Sequence, residues 1–353
     1  MTTLAHPNRV GAQLKPGRTP PDLLVEPMFP APKGGADPQQ RQQQQQGAAP
    51  PPAAEAPVPE PLQRFVWVRG RTVDEVRRYR EVELAWAEAP PCGPPAFDLD
   101  AASEDADADD RLARALRVLH ETGTGKEIKL AVIERAWSPA AGARASSQQH
   151  DLAGTDWTDA VAEFGGHGDR TVAALLGVPD TSLSGIAPDA TVGLFSTLRT
   201  DVDGTLIDDL PAALMRAHAW LGTALPGCLP QLLGPLGALL PGPKRGVLLV
   251  ELQHFLMEPQ VRDLDAVARE RWCPGGRAAA GPVDADPGIR AAVAEIVRSG
   301  HLVVLPAANG RRDLRMVVDD AGAAHLHGDG HQALRVGASH AAGRVAGSNF
   351  GGG

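Results

Sequence analysis

At 353 residues, with 43% hydrophobic and 22% charged residues, the chain is long enough for one large domain or two, and too apolar to be disordered throughout. A formal net charge of −9, with no Lys/Arg cluster set against it, argues against a nucleic-acid binder held by phosphate neutralisation. Cys92, Cys228 and Cys273 are too few and too scattered for a disulfide framework or a thiolate zinc site.

Residues 1–60 read as a disordered Gln/Pro-rich region, because glutamine runs followed by Ala/Pro repeats bury too little apolar surface to offset chain entropy. The opening residues show no basic stretch followed by an apolar one, so no secretory signal is expected and a cytoplasmic location is the default. Residues 61–97 read as a small α/β-like prefix. Phe65–Val68 has strand character, and the charged run Val73 to Trp86 predicts an amphipathic helix stopped by Pro90-Pro91. Residues 98–125 begin as an acidic run and are expected to be a solvated linker.

From residue 126 the texture changes. Apolar runs at Ile128–Ile133, Val192–Phe195, Val247–Leu252, Leu302–Leu305 and Leu334–Val336 predict buried strands. A helix is expected from Asp209-Leu210-Pro211, with Leu214, His218 and Leu221 on one face, and another from Asp286-Pro287, ended by Gly300. Strands apolar throughout, alternating with helices, predict an α/β domain with a parallel sheet covered by helices on both faces. The uncharged stretch Ala217–Pro243 is long enough to span a bilayer, but five prolines interrupt it. It is expected to be a surface insertion, leaving no membrane span.

Three residues fall where parallel-sheet enzymes keep their chemistry, at or just after strand ends. Glu134 ends Leu130-Ala-Val-Ile133, His167 sits between glycines just before the helical run Thr171 to Leu176, and Asn309 ends Leu302-Val-Val-Leu-Pro-Ala-Ala308. A carboxylate can orient an imidazole, the imidazole can act as base, and an amide can donate to an oxyanion. A further segment, His325-Leu-His327-Gly-Asp329-Gly-His331, carries metal-ligand chemistry at spacing two, but its Gly/Ala-rich surroundings favour a solvated loop. No metal or other cofactor is therefore expected.

Taken together, Leu130-Ala-Val-Ile-Glu134, His167-Gly-Asp-Arg-Thr-Val-Ala173, Gly185-Ile-Ala-Pro-Asp-Ala190, Pro306-Ala-Ala-Asn309-Gly310, Leu334-Arg-Val-Gly-Ala-Ser339 and Ser348-Asn-Phe-Gly351 resemble, in order, segments of the subtilisin-like serine peptidases. The resemblance covers about residues 126–353 and implies a subtilisin-like fold, peptide or protein substrates and acyl transfer to water. It implies that Glu134 orients His167, that His167 is general base and then acid, and that Asn309 stabilises the oxyanion. The strand Val247–Leu252 and the region around Pro188 are expected to cradle the peptide, and Glu251-Leu-Gln253 replaces the small residues usual near the specificity pocket.

Three departures qualify that expectation. Glu134 stands where the family has Asp, although Ile133-Glu134-Arg-Ala-Trp137 resembles an I-E-x-x-W variant. Asp169-Arg170-Thr171 follows His167-Gly168 in place of Thr-x-Val, disturbing the start of the His-bearing helix. The catalytic Ser, expected in G-T-S-x-[AS]-x-P, is absent from the 353 residues. The domain is therefore expected to be C-terminally incomplete and inactive as it stands, with one sheet face partly bare for want of the Ser-bearing helix. Two rivals remain open: a pseudopeptidase that binds peptides without turnover, and an unrelated α/β ligand-binding protein.

Overall fold

The computed structural model describes residues 9–30, 58–88, 91–92, 108–152, 154–179, 184–201, 204–222, 246–255 and 280–309, with short pieces at 314, 333–337, 339–340, 343–344 and 348. The glutamine run, most of the insertion after residue 222 and the segment from His325 to His331 lie outside the described residues.

The N-terminal region contains more ordered chain than its composition suggests. Strand β1 (Val10–Leu14) and strand β2 (Val25–Pro27) lie within the first 60 residues, where no packed structure is expected. They join β3 (Phe65–Val68) and β4 (Val82–Ala87) in an antiparallel sheet of order β2-β3-β1-β4. Alternation along β3 explains how the sheet is held. Phe65 and Trp67 face the core of the α/β domain, while Val66 and Val68 pack with Ala12, Leu14 and Val76 on the other side.

The helix expected over Val73 to Trp86 is one short helix, α1 (Val73–Arg77), followed by β4. Thr72 and Glu75 form a capping box that starts α1. Pairing of Val82–Ala87 with β1 and burial of Ala85 and Trp86 outweigh helix propensity over the rest. Strand β5 (Pro91–Cys92) follows, and α2 (Ala108–Thr122) occupies part of the expected acidic linker.

Among the described residues the α/β domain is built on six parallel strands. They are β6 (Lys129–Glu134), β7 (Ser147–Gln149), β8 (Thr191–Ser196), β11 (Val247–Val250), β14 (Leu302–Pro306) and β15 (Leu334–Val336), in the order β15-β14-β11-β6-β8-β7. A short turn of helix, α3 (Pro139–Gly142), leads from β6 to β7, and α4 (Gly154–Leu176) leads on to β8. A hairpin of β9 (Leu198–Thr200) and β10 (Leu206–Asp208) precedes α5 (Leu210–Leu221), which leads to β11. Strand β12 (Gln253–Phe255) pairs on one side with β13 (Ala280–Pro282) and on the other with β5, and α6 (Pro287–Arg298) leads to β14.

Helices cover both faces, as the buried strands require. Val172 and Leu175 of α4 pack with Leu130, Val132, Val192 and Leu194 on one side. Leu214 and Leu221 of α5 and Ile289, Val293 and Ile296 of α6 pack with Ala131, Ile133, Leu248, Val303 and Leu305 on the other. The N-terminal sheet joins this second core, where Trp86 Nε1 donates to Asp286 Oδ2 over 2.9 Å. Asp286 also accepts from Gly288 N and Ile289 N, so one buried carboxylate caps α6 and ties down the N-terminal sheet.

On the α4 side the outer strands are less covered. Leu302, Leu334 and Val336 are 45%, 53% and 50% exposed. No helix among the described residues is long and apolar enough to cross a membrane.

The strand order places a topological switch beside β6. From β6 the chain passes first to the edge strand β7 and returns to β8 between the two, then crosses to build β11, β14 and β15 on the other side. In open α/β sheets the connections part at such a point and leave a crevice beyond the carboxyl ends of the strands. Here Glu134 ends β6 and Glu251 follows β11, so both carboxyl side chains border that crevice.

Candidate active site

Glu134, His167 and Asn309 line one cavity of about 300 Å³ at this crevice, together with Glu251, Leu252 and Gln253. Glu134 is buried, and its backbone carbonyl accepts from Thr197 N over 3.0 Å. Its carboxylate receives Nδ1–H of His167 on both oxygens, at 2.9 and 3.0 Å. Thr171 Oγ1 donates to Oε1 over 2.6 Å.

His167 lies in the interior of α4, not ahead of a helix beginning near Thr171. The cluster Gly165-Gly166-His167-Gly168 reads as a loop in sequence, yet it is helical throughout. Its glycines serve close packing. A Cβ on Gly168 would lie 2.2 Å from the carbonyl oxygen of Ala136, so only glycine lets α4 come this near the end of β6. Asp169 secures the same approach by accepting from Ser138 N over 2.7 Å. The departure Asp169-Arg170-Thr171 therefore falls inside a continuous helix, and Thr171, one turn beyond His167, adds a second donor to Glu134.

Asn309 follows Ala308, which has a positive φ of 67° and turns the chain at the cavity wall. The backbone N–H of Asn309 donates to Gln253 Oε1 over 3.0 Å. Thr171 is a site residue that motif reading did not assign, although its four-residue spacing from His167 was a signal. Glu251 and Gln253, expected from the family resemblance to lie near a specificity pocket, line the cavity without having been given a role.

The site is electrostatically uneven. The hydrogen bond to Glu134 raises the His167 pKa above the usual value, against burial, which lowers it. Burial, followed by the nearby charge of Glu134, pushes the Glu251 carboxyl up to about 7. Of the basic groups at the cavity, Arg135 is engaged with Asp208 at 2.8 Å, and Arg170 is exposed on α4.

Of the two segments expected to cradle a peptide, only the end of Val247–Leu252 reaches the cavity. Strand β11 is internal, hydrogen-bonded to β6 on one side and β14 on the other, so it has no free edge for an added strand. The region around Pro188 precedes β8 and lies at the opposite end of the sheet from Glu134, because the paired strands run parallel. Only the continuation of β11, at Glu251 to Gln253, reaches the cavity. Among the described residues no group of three His, Cys, Asp or Glu is arranged to hold a metal.

No protein-family model and no curated protein matches the chain. Among solved structures, the prenylagaramide maturation protease PagA is 16% identical at a TM-score of 0.38, covering 67% of this chain and 63% of that one. The self-cleaved protease domain of PatA is 17% identical at 0.36, covering 65% and 64%, and the PatG macrocyclase domain 13% identical at 0.35, covering 72% and 68%. The chain thus spans slightly less than two thirds of the two proteases. Similarity at these scores carries no inference about activity; the α/β class rests on the parallel sheet and its two helical layers.

Proposed function

We propose that the cavity is a subtilase-type peptide site, in which Glu134 orients His167 for acyl transfer and Asn309 receives the developing oxyanion. The observation that carries this reading is the double hydrogen bond from His167 Nδ1 to buried Glu134. With Nδ1–H held there, Nε2 keeps its lone pair and has no partner among the described residues. It is the atom that would take a proton from a nucleophile and return it to the leaving amine. A positive imidazolium formed in that step would be stabilised by the carboxylate beneath it. Support over an unrelated ligand-binding protein comes from the presence of all three residues in one cavity.

A second reading, peptide binding without turnover, is favoured by the absence of Ser, Thr and Cys among the described residues lining the cavity. One experiment separates the two. The 353-residue chain and its His167→Ala variant are incubated with a peptide mixture, while cleavage is read by mass spectrometry and binding by fluorescence anisotropy. Cleavage lost in His167→Ala supports hydrolysis, and binding without cleavage supports the second reading. Absence of both overturns the peptide-site proposal.

A further inference from the structure

We propose that Glu251 selects a basic side chain, lysine or arginine, from the peptide entering this cavity. The inference rests on the peptide-site reading and adds the substrate class to it. Val250 and Ile133 are register partners, so the residues that follow them, Glu251 and Glu134, emerge side by side from adjacent strands. Neighbouring strands lie about 4.8 Å apart, which brings the two carboxyl groups to the same crevice.

Their circumstances differ. Glu134 is satisfied by His167 and Thr171, whereas Glu251 has neither a hydrogen bond nor an ion pair from its side chain among the described residues. A largely buried carboxyl without a partner costs free energy that an incoming cation would recover. The other charged groups facing the cavity do not supply that cation. Arg135 is committed to Asp208, Arg170 and Glu163 are exposed on α4, and His167, hydrogen-bonded to Glu134, acts on Glu251 only through space, an attraction that burial and the charge of Glu134 outweigh.

The remaining walls suit the rest of such a side chain. Phe164, Leu252 and Pro306 offer apolar surface against which the aliphatic stem of lysine or arginine can lie while its head reaches the carboxylate. The raised pKa of Glu251, about 7, is what a cavity lacking its counter-ion would show. Binding of a cation would ionise the carboxyl and release its proton.

The test uses two fluorescein-labelled pentapeptides, each of four alanines and one variable residue, either lysine or its uncharged isostere norleucine. At pH 8 the lysine peptide is expected to bind the full chain at least about tenfold more tightly, the effect of one charge-assisted hydrogen bond. That preference should shrink as the pH falls to 5.5, where Glu251 is protonated and lysine remains charged. Calorimetry of the wild-type chain at pH 7, in two buffers of different ionisation enthalpy, should detect proton release with the lysine peptide and not with norleucine. In Glu251→Gln the two peptides should bind within about twofold of each other, well below the change a charged pair produces. Equal binding of both peptides to the wild-type chain, without proton release, overturns the role of Glu251 and leaves the peptide site standing. Failure of both to bind overturns the peptide-site reading and this inference with it.

Discussion

Replacing Gly168 by alanine tests the link between helix packing and the candidate site. In an ordinary exposed helix the change would stabilise by about 0.8–1 kcal/mol, because alanine is the better helix former. Here the new methyl would lie 2.2 Å from the Ala136 carbonyl oxygen, with Trp137 Cβ at 3.3 Å on the same side. A carbon–oxygen contact of about 3.3 Å is the shortest that occurs freely, so α4 must retreat by ~1 Å at this point. His167 is the adjacent residue and would move with it, stretching its 2.9 Å bond to Glu134 to about 3.9 Å, beyond hydrogen-bonding range. Overpacking costs about 1–3 kcal/mol. Loss of the charge-assisted bond adds about 1 kcal/mol, the lower end of its range, because the His167 side chain is 34% exposed. The clash outweighs the propensity gain, and a net loss of about 1–3 kcal/mol is expected. Urea unfolding should show a lower midpoint at unchanged slope, and an NMR titration of His167 should show its pKa falling from the raised wild-type position. A variant as stable as wild type, with an unmoved His167 titration, would refute the argument that Gly168 sets the distance between helix and strand.

Three more outcomes follow from the same contacts. Glu134→Gln weakens the hydrogen bond that chiefly raises the His167 pKa and removes the charge that adds to it, so its NMR titration should shift downward; in the wild type this interaction stabilises below the usual imidazole pKa of 6.5 and fades as pH rises through the higher folded value, so the stability gap between the two chains should close at alkaline pH. For Glu251 the folded pKa of about 7 exceeds the ordinary 4.5, so the folded state holds the extra proton and the residue destabilises as pH rises between those values; Glu251→Gln should match wild type at pH 4 and exceed it by up to about 3 kcal/mol at pH 8 in paired urea melts. Asp286→Ala removes the cap of α6 and the acceptor of the buried Trp86 indole, and should cost about 2–4 kcal/mol by thermal unfolding; a change under 1 kcal/mol would mean that the N-terminal sheet is not held through this carboxylate.

The sequence by itself determined the α/β class, because strands buried on both faces must be apolar at successive positions, as Leu130 to Ile133 and Val247 to Val250 are. It also marked α5 and α6, whose caps, Asp209 and Asp286, are local signals with a proline just inside each helix. It singled out Glu134, His167 and Asn309 through segment order, although their convergence was not legible from any one of them. Tertiary structure decided the rest. Whether Val82–Ala87 is helix or strand depended on a partner, β1, some 70 residues away, in a region whose composition concealed its two strands. The glycines around His167 look like a loop until the carbonyl of Ala136 is brought against them, since a close approach is a property of two segments and not of one. The same holds for Glu251. Its side-by-side position with Glu134 arises from strand order, and its lack of an ion-pair partner among the described residues depends on what every neighbouring element brings to the crevice.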